Sequence, residues 1–503
     1  MQFCTIPIKN IHQTIATITA VAIVLTAVEQ LVIIHAVEVV ITFVQEVVKL
    51  SVPMIANTLA KTLVMTLVEV DVISVVSKLA EAHAVDIVVI IVPEQWRYSK
   101  KHMFVKDNSR FWQSGMAKNI TFIVTKDCQL ACKYCYLVGK NSKERMSWEV
   151  AKTAIDYILS HEDDMKEESV VWDFIGGEPF LEIDLIDKIC DYLKTEMFRR
   201  NHHWFNSYRF SFSTNGINYG TEKVQRFIEK NHNHISIGIT IDGTKQKHDL
   251  NRIWKTQEME LGIIPKPEEE KGSYDDVVKN IPLWLKQFPD AGTKVTISST
   301  DIPYIKESVL HLYSLGIHEV NINCVFEDVW KEGDDELFEK QLINLADAII
   351  DGEYYKNYAC SFFNETIGKP LDCNLQNGNW CGAGKMLAID AQGNFYPCTR
   401  FAQYSLRNKK AWIIGNIHDG IDKNKLRPFL TLDRCTQSTQ ECIDCEVAEG
   451  CAWCQGENYD AAETPTIFQR ATAICKMHKA RVRVRANNYY WNKLYHKLGK
   501  EKS

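Results

Sequence analysis

Cys128, Cys132 and Cys135 form a C-x3-C-x2-C set directly after the apolar, strand-like run at residues 120–124. A [4Fe–4S] cluster normally takes four cysteine thiolates, so a loop offering three leaves one iron open to a further ligand, as catalytic metal sites keep an open position. A structural zinc loop and a group of unligated buried thiols are the other readings that three close cysteines admit. The residues downstream favour iron. The mostly apolar run at 170–175 reads as a buried strand and ends in Gly176-Gly177-Glu178-Pro179. Glycines at such a strand end let the backbone come close to a ligand. Two more runs, 208–213 and 235–241, lead into Thr214-Asn215-Gly216 and Asp242-Gly243, although Asn-Gly and Asp-Gly are also ordinary turn pairs.

The triad, with the aromatic Tyr134 just before its third cysteine, resembles that of the radical S-adenosylmethionine (AdoMet) enzymes. In those enzymes the unique iron chelates the amino and carboxylate groups of AdoMet, passes an electron to the sulfonium and releases a 5′-deoxyadenosyl radical. The resemblance implies that Gly176, Gly177 and Glu178 receive the AdoMet amino group. It also places Ser213 and Asn215 on one side, and Thr240 and Asp242 on the other, near the ribose and the methionine carboxylate.

A second group of cysteines lies towards the C-terminal end. Eleven residues separate Cys381 from Gly393 and four more separate Gly393 from Cys398, while residues 386–397 read as a hairpin turning at 390–393. Cys442, Cys445, Cys451 and Cys454 crowd together and Cys475 trails them. Zinc knuckles also use paired C-x2-C units. The arrangement resembles the SPASM extension of radical AdoMet peptide-modifying enzymes, which carries two auxiliary [4Fe–4S] clusters. Carried over by position, Cys373, Cys381, Cys398 and Cys454 would hold the first, and Cys442, Cys445, Cys451 and Cys475 the second. The expected complement is AdoMet and three [4Fe–4S] clusters. The usual pattern has three residues in its last crowded pair, where this chain has two, Ala452 and Trp453. Cys360 competes with Cys373, and Cys435 is left without a role. Disulfides are not expected, because low-potential clusters need reducing surroundings. Cys4, Cys190 and Cys324 read as ordinary buried or semi-buried thiols.

Elements that position these residues follow from alternation. Strand-like runs at 120–124, 170–175, 208–213, 235–241, 294–298 and 319–323 alternate with helical stretches near 147–159, 185–198, 222–229, 274–284 and 305–315. That order implies an α/β fold with a parallel sheet and crossover helices, ligand at the C-terminal strand ends. By resemblance it is a partial (β/α)6 radical AdoMet barrel with a C-terminal SPASM domain. The expected divisions are 1–95, glycine-free and helical but of unclear role; 96–335, the core barrel; 336–372, a connecting helical region; 373–480, the SPASM domain; and 481–503, a basic C-terminal helix. The charged stretch 258–271 reads as a solvated loop.

Composition agrees. A chain of 503 residues can bury several cores, and a net charge of −6 leaves no nucleic-acid footprint. The most apolar run, 15–28, is short of the roughly 20 residues a membrane span needs, so no stable insertion is expected. The basic, aromatic stretch 478–502 reads as an amphipathic closing helix, with an acidic peptide as its other possible partner.

The closest resemblance is to radical AdoMet/SPASM peptide maturases acting on precursors with repeated Cys-x-x-x units. Sulfatase-maturing relatives have an aspartate directly after the cysteine equivalent to Cys398, where this chain has Thr399. The departure points away from formylglycine formation and towards a thioether between a cysteine sulfur and a neighbouring carbon. Arg400 is the candidate for lowering a substrate thiol pKa or binding a substrate carboxylate, a surface ion pair being its plain alternative. The resemblance implies a cytoplasmic enzyme, a precursor peptide and an external reductant such as flavodoxin or ferredoxin. Epimerisation, carbon–carbon crosslinking and a non-catalytic iron–sulfur carrier remain as rivals.

Overall fold

The computed structural model describes residues 117–499 apart from 139–141, 261–265, 365–366, 374–380, 452 and 485–488. The 1–95 segment, for which a helical structure was expected, lies outside the described residues.

All six expected strands form: β1 (Lys118–Thr125), β2 (Val170–Gly176), β3 (Tyr208–Thr214), β4 (Ile235–Ile239), β5 (Thr293–Ile297) and β6 (Glu319–Cys324). Between them run α1 (Trp148–Ser160), α2 (Ile183–Arg199), α3 (Glu222–Asn231), α4 (Lys245–Asn251), α5 (Tyr274–Val278), α6 (Ile281–Gln287) and α7 (Ile305–Ser314). β1 to β4 pair parallel in sequence order, and β5 pairs parallel with β6. Alternation explains the layering. Phe122, Trp172, Phe210 and Ile237 stand on the faces that pack against helices and are all but fully buried. Phe122 stacks on Phe174, which stacks on Phe212. Burying each such ring stabilises by about 1.5–3 kcal/mol, which fixes the strand register more firmly than backbone bonds alone.

The opposite, inner face carries polar residues, including Thr121, Asp173, Ser211 and Lys294. Lys294 of β5 acts electrostatically on Asp173 of β2, so the inner faces of the two sheets look at one another.

The 274–284 stretch is two helices, not one. α5 ends before Asn280, whose side chain turns back to donate to Gly216 O, and Pro282 lies in the first turn of α6, where a missing N–H costs nothing. The region from 336 onward opens with a long helix, α8 (Asp334–Asp351), and then a short strand, β7 (Ala359–Cys360), which extends the β5–β6 sheet. The expected hairpin forms as β8 (Leu387–Ile389) and β9 (Asn394–Tyr396), with Asp390 Oδ1 accepting from the N–H of Gln392 and Asn394. Its partner was not foreseen: β8 pairs parallel with β1, continuing the main sheet. Two-residue strands β10 (Gly415–Asn416) and β11 (Gly420–Ile421) extend it further.

The C-terminal basic stretch is also two helices, α9 (Cys475–Val482) and α10 (Tyr490–Lys497). Its cations are taken by α8: Lys493 Nζ lies 2.6 Å from Asp347, Arg483 Nε 2.6 Å from Glu339, and Lys497 Nζ donates to Ile350 O. These pairs leave the acidic-peptide alternative without those three side chains. Among the described residues, no helix is long and apolar enough to cross a membrane.

Candidate active site

The triad loop leaves β1 and is pinned by backbone on two sides. Ala131 N, Lys133 N and Lys255 N donate to Ile253 O, Asn251 O and Gln129 O, tying the loop antiparallel to the chain after α4. Gly177 N and Glu178 N donate to Thr125 O and Asp127 O. A Cβ on Gly177 would stand 2.2 Å from Asp127 O and 2.9 Å from Cys128 Cβ, so only glycine lets the end of β2 close on the loop. Lys255 Nζ adds an ion pair to Asp127 at 2.7 Å.

Four strand ends meet here. Glu178 is buried and does not point into open space: its carboxylate accepts from Thr214 Oγ1 and Asn215 N, both at 2.7 Å, and from Phe180 N at 3.1 Å. Burial raises its pKa, against which those hydrogen bonds work. Its side chain clamps β2 to β3, leaving the backbone of Gly176 and Gly177 as the part facing the triad. The Asn215 amide donates to Gln129 and lies 4.0 Å from Cys128 Sγ. Ser213 is exposed on the inner face, and Thr240 N donates to Thr214 O.

Asp242 is fully buried. Burial opposes its ionisation, but Lys247, Arg252 and His248 together hold its pKa below the usual carboxylate range. It accepts from Tyr134 OH and from Thr296 N, with Lys247 Nζ 3.6 Å away. Arg252 donates to Tyr134 OH at 3.0 Å, while its Nε is buried without a partner. Lys247, itself fully buried, donates to Thr296 O at 2.6 Å and lies 3.8 Å from Asp301. The sequence pointed to Asp242 but not to Lys247, whose only local signal is a lysine near the start of a helix that follows a strand end.

The triad's surroundings fit a cluster with a zwitterionic ligand. Three thiols come from one loop, glycine backbone closes upon them, and a buried guanidinium N–H lacks an acceptor beside them.

The C-terminal cysteines fall into two groups. Cys381, Cys398 and Cys454 are close enough to act on one another: burial first, and then the neighbouring thiols, push Cys381 up to about 11 and Cys398 further. Cys442, Cys445, Cys451 and Cys475 line one cavity of about 30 Å³, more than a single water-sized sphere needs. Both groupings follow the expected division except at Cys373. The structure bonds Cys373 to Cys435 in a disulfide, so the first group holds three thiols and Cys435 acquires a partner. The expectation of no disulfide is corrected with it. The sulfurs are 62 residues apart in sequence, a pairing that local spacing cannot reveal. Among the described residues, no three Cys, His, Asp or Glu side chains converge tightly enough to hold a single metal ion.

Arg400 differs from its expected part as well. Its guanidinium lies within the protein, bound to Glu327 at 3.0 Å and Glu457 at 2.9 Å and stacked 4.7 Å over the Tyr136 ring. Two carboxylates already occupy it, so it is neither a surface pair nor a free receptor for a substrate carboxylate. Tyr136 is acted on by both Cys135 and Cys398, which puts this stack between the triad and the first C-terminal group.

Comparison with known proteins agrees with this layout. Residues 115–258 match the family model of a 4Fe–4S single cluster domain. An uncharacterized protein of Methanocaldococcus jannaschii is 28% identical over 315 residues, covering 62% of this chain and 91% of that protein. A cysteine-type anaerobic sulfatase-maturating enzyme of Clostridium novyi is 27% identical over 162 residues, 32% of this chain and 38% of that enzyme. The serine-type enzyme of Bacteroides thetaiotaomicron is 23% identical over 312 residues, 56% of this chain and 69% of that enzyme. Among solved structures, native anSMEcpe with bound AdoMet superposes with a TM-score of 0.54 at 18% identity, covering 76% of this chain and 99% of that one. The same protein with AdoMet and the Kp18Cys peptide gives 0.52 at 17%, again covering 76% and 99%. The chain therefore has the α/β, parallel-sheet fold of anSMEcpe and resembles the anaerobic sulfatase-maturating enzymes in sequence.

Proposed function

We propose that this chain is a radical AdoMet enzyme that modifies a ribosomally made, cysteine-rich precursor peptide, closing thioether bonds between cysteine sulfur and a neighbouring carbon. The observation that carries the reading is the meeting of the Cys128–Cys132–Cys135 loop with the ends of β2, β3 and β4 at Gly177, Asn215 and Asp242. On this reading the six strands are a partial (β/α)6 barrel within 96–335, and 373–480 is a SPASM domain. When bound, the three clusters and AdoMet supply a 5′-deoxyadenosyl radical and an acceptor for the electron released as carbon bonds to sulfur.

The chain's own residues divide the remaining tasks. Cys128, Cys132 and Cys135 hold the radical cluster. Gly176 and Gly177 offer backbone to the AdoMet amino group, and Arg252, with its spare N–H, is suited to its carboxylate. Asp242 and Tyr134 orient Arg252, while Glu178 keeps Asn215 aimed at the triad. Cys381, Cys398 and Cys454, joined by Cys373 when its bond to Cys435 is reduced, hold the first auxiliary cluster; Cys442, Cys445, Cys451 and Cys475 hold the second. Thr399 offers no carboxylate beside Cys398, which supports a peptide reaction other than formylglycine formation. Relatives named for sulfatase maturation, and a solved structure of the same fold that holds the Kp18Cys peptide, support a peptide substrate, and the clusters imply a cytoplasmic setting with an external reductant.

The test uses the anaerobically reconstituted chain, dithionite, AdoMet and a Cys-x-x-x-rich peptide. We expect close to twelve irons per chain (order of magnitude from three four-iron clusters), 5′-deoxyadenosine, and a peptide lighter by two hydrogens and one free thiol per crosslink. Unchanged mass with an inverted residue indicates an epimerase, and loss of two hydrogens at constant thiol count a carbon–carbon crosslinker. Iron without AdoMet cleavage indicates a carrier.

A further inference from the structure

Among the described residues, the main sheet ends at β4 and the second sheet begins at β5, with no backbone ladder between those two strands. Side chains bridge the gap instead. Thr293 Oγ1 donates to Ile239 O at 2.7 Å and accepts from Ile241 N at 3.2 Å. Further along, Asp242 Oδ1 accepts from Thr296 N at 3.2 Å and Lys247 Nζ donates to Thr296 O at 2.6 Å, so both backbone groups of Thr296 are taken by side chains that follow β4. These two side chains also face each other. Lys247 Nζ lies 3.6 Å from Asp242 Oδ2, the oxygen to which Tyr134 OH donates, and Tyr134 OH accepts in turn from Arg252 at 3.0 Å. Lys247 is 3.8 Å from Asp301 as well, and Asn251, one turn along α4, holds that carboxylate by a 2.6 Å hydrogen bond. Lys247, Asp242 and Asp301 are completely buried and Arg252 nearly so. Apolar residues would close such a seam at least as firmly, because desolvation consumes much of what a buried ion pair gains; what the pair adds is a fixed orientation for the groups bonded to it.

We propose that Lys247 is a positioning residue for AdoMet: through Asp242 and Tyr134 it fixes the Arg252 guanidinium, and through Thr296 it ties that guanidinium to the second sheet. This rests on the AdoMet reading above. Lys247 is enclosed by protein and its ammonium is occupied by Thr296 O and two carboxylates, so it works at one remove from the ligand. Arg252 is placed to feel it, because Lys133 N and Ala131 N donate to the carbonyls of Asn251 and Ile253 on either side, which holds that residue against the triad loop. The coupling runs both ways: a ligand that steadies Arg252 steadies β5, and an intact seam tightens the ligand by the same factor.

The test compares equilibrium binding of AdoMet and of decarboxylated AdoMet, which lacks the carboxylate, to the anaerobically reconstituted chain. Wild type should prefer AdoMet, and Lys247→Met should narrow that preference by about tenfold, the range of one hydrogen bond to a charged group, with iron content unchanged. Lys247→Met leaves Asp242 and Asp301 facing Arg252 alone, an uncompensated buried charge that can prevent folding. Lys247→Met combined with Asp301→Asn restores the balance of one cation to one carboxylate and should show the same narrowing. A combined variant with the wild-type preference would mean that Lys247 only neutralises charge, and overturns the proposal. A second measurement needs no variant: AdoMet should slow amide exchange across residues 293–297 of wild type, and decarboxylated AdoMet should do so less. Exchange there that ignores AdoMet overturns the tie to the second sheet. Failure of wild type to bind AdoMet at all would instead sink the enzymatic reading, and this proposal with it.

Discussion

The triad loop and the Cys442–Cys445–Cys451–Cys475 cavity both gather thiols, but by different means. The first leaves β1 and is locked by backbone hydrogen bonds to the end of β2 and to the strand-like stretch after α4, with Gly177 closing on it without a side chain. The second is ringed by turns and the short helix Gln440–Ile443, and its fourth thiol begins α9. One site is shaped by the fold before any ligand arrives. The other relies on what it binds, as small metal domains do when ligand binding is folding free energy.

The largest expected difference comes from removing iron. In the iron-free, reduced chain, amide exchange in β1, β2 and β3 should stay slow, whereas residues 440–475 should exchange by many orders of magnitude faster. Equal protection in both regions would erase the contrast.

A smaller effect lies at the stack that separates them. Arg400→Ala leaves Glu457 and Glu327, both largely buried, with only Arg407 nearby, 3.7 Å from Glu327, and should cost about 3 kcal/mol in urea unfolding, as breaking buried pairs does. Arg400→Lys should recover part of this. A cost within about 0.5 kcal/mol for the alanine variant would mark Arg400 as a surface pair, the plain alternative read from the sequence.

The smallest concerns Asp173. Burial raises its pKa in the folded chain to about 6 from the usual 3.8, so its contribution to stability is fully present below pH 3.8 and is lost as pH rises through 6. Asp173→Asn should remove about 1 kcal/mol of that slope, discounted because solvent reaches the inner face. Thermal unfolding between pH 4 and 7 reads it, and an unchanged slope would place the carboxyl in a watery setting.

Apolar runs alternating with helical stretches made the six strands legible in the sequence, the turn at 390–393 made the hairpin so, and cysteine spacing the triad. Long-range pairings were not. Nothing near Arg400 announces Glu327, 73 residues away, and nothing near Cys373 announces Cys435. The run 274–284 was read as one helix because its apolar spacing continues past Asn280, whose side chain bonds backbone elsewhere. Asp173, a charge inside an apolar strand, was passed over when 170–175 was read as a buried strand, although it is at odds with its neighbours.

One pairing has a mechanical meaning. Ile389 of β8 sits opposite Phe122 of β1 in the same sheet, so Cys398, nine residues beyond the one, and Cys128, six beyond the other, hang from a shared ladder of hydrogen bonds. The span between the two cysteine groups is thus anchored by a ruler of backbone, not by the docking of two bodies across a hinge. Warming or crowding cannot slide one end of that ruler past the other without breaking its rungs. If electrons cross this gap, their path keeps a nearly constant length at its anchored ends for as long as the sheet is intact.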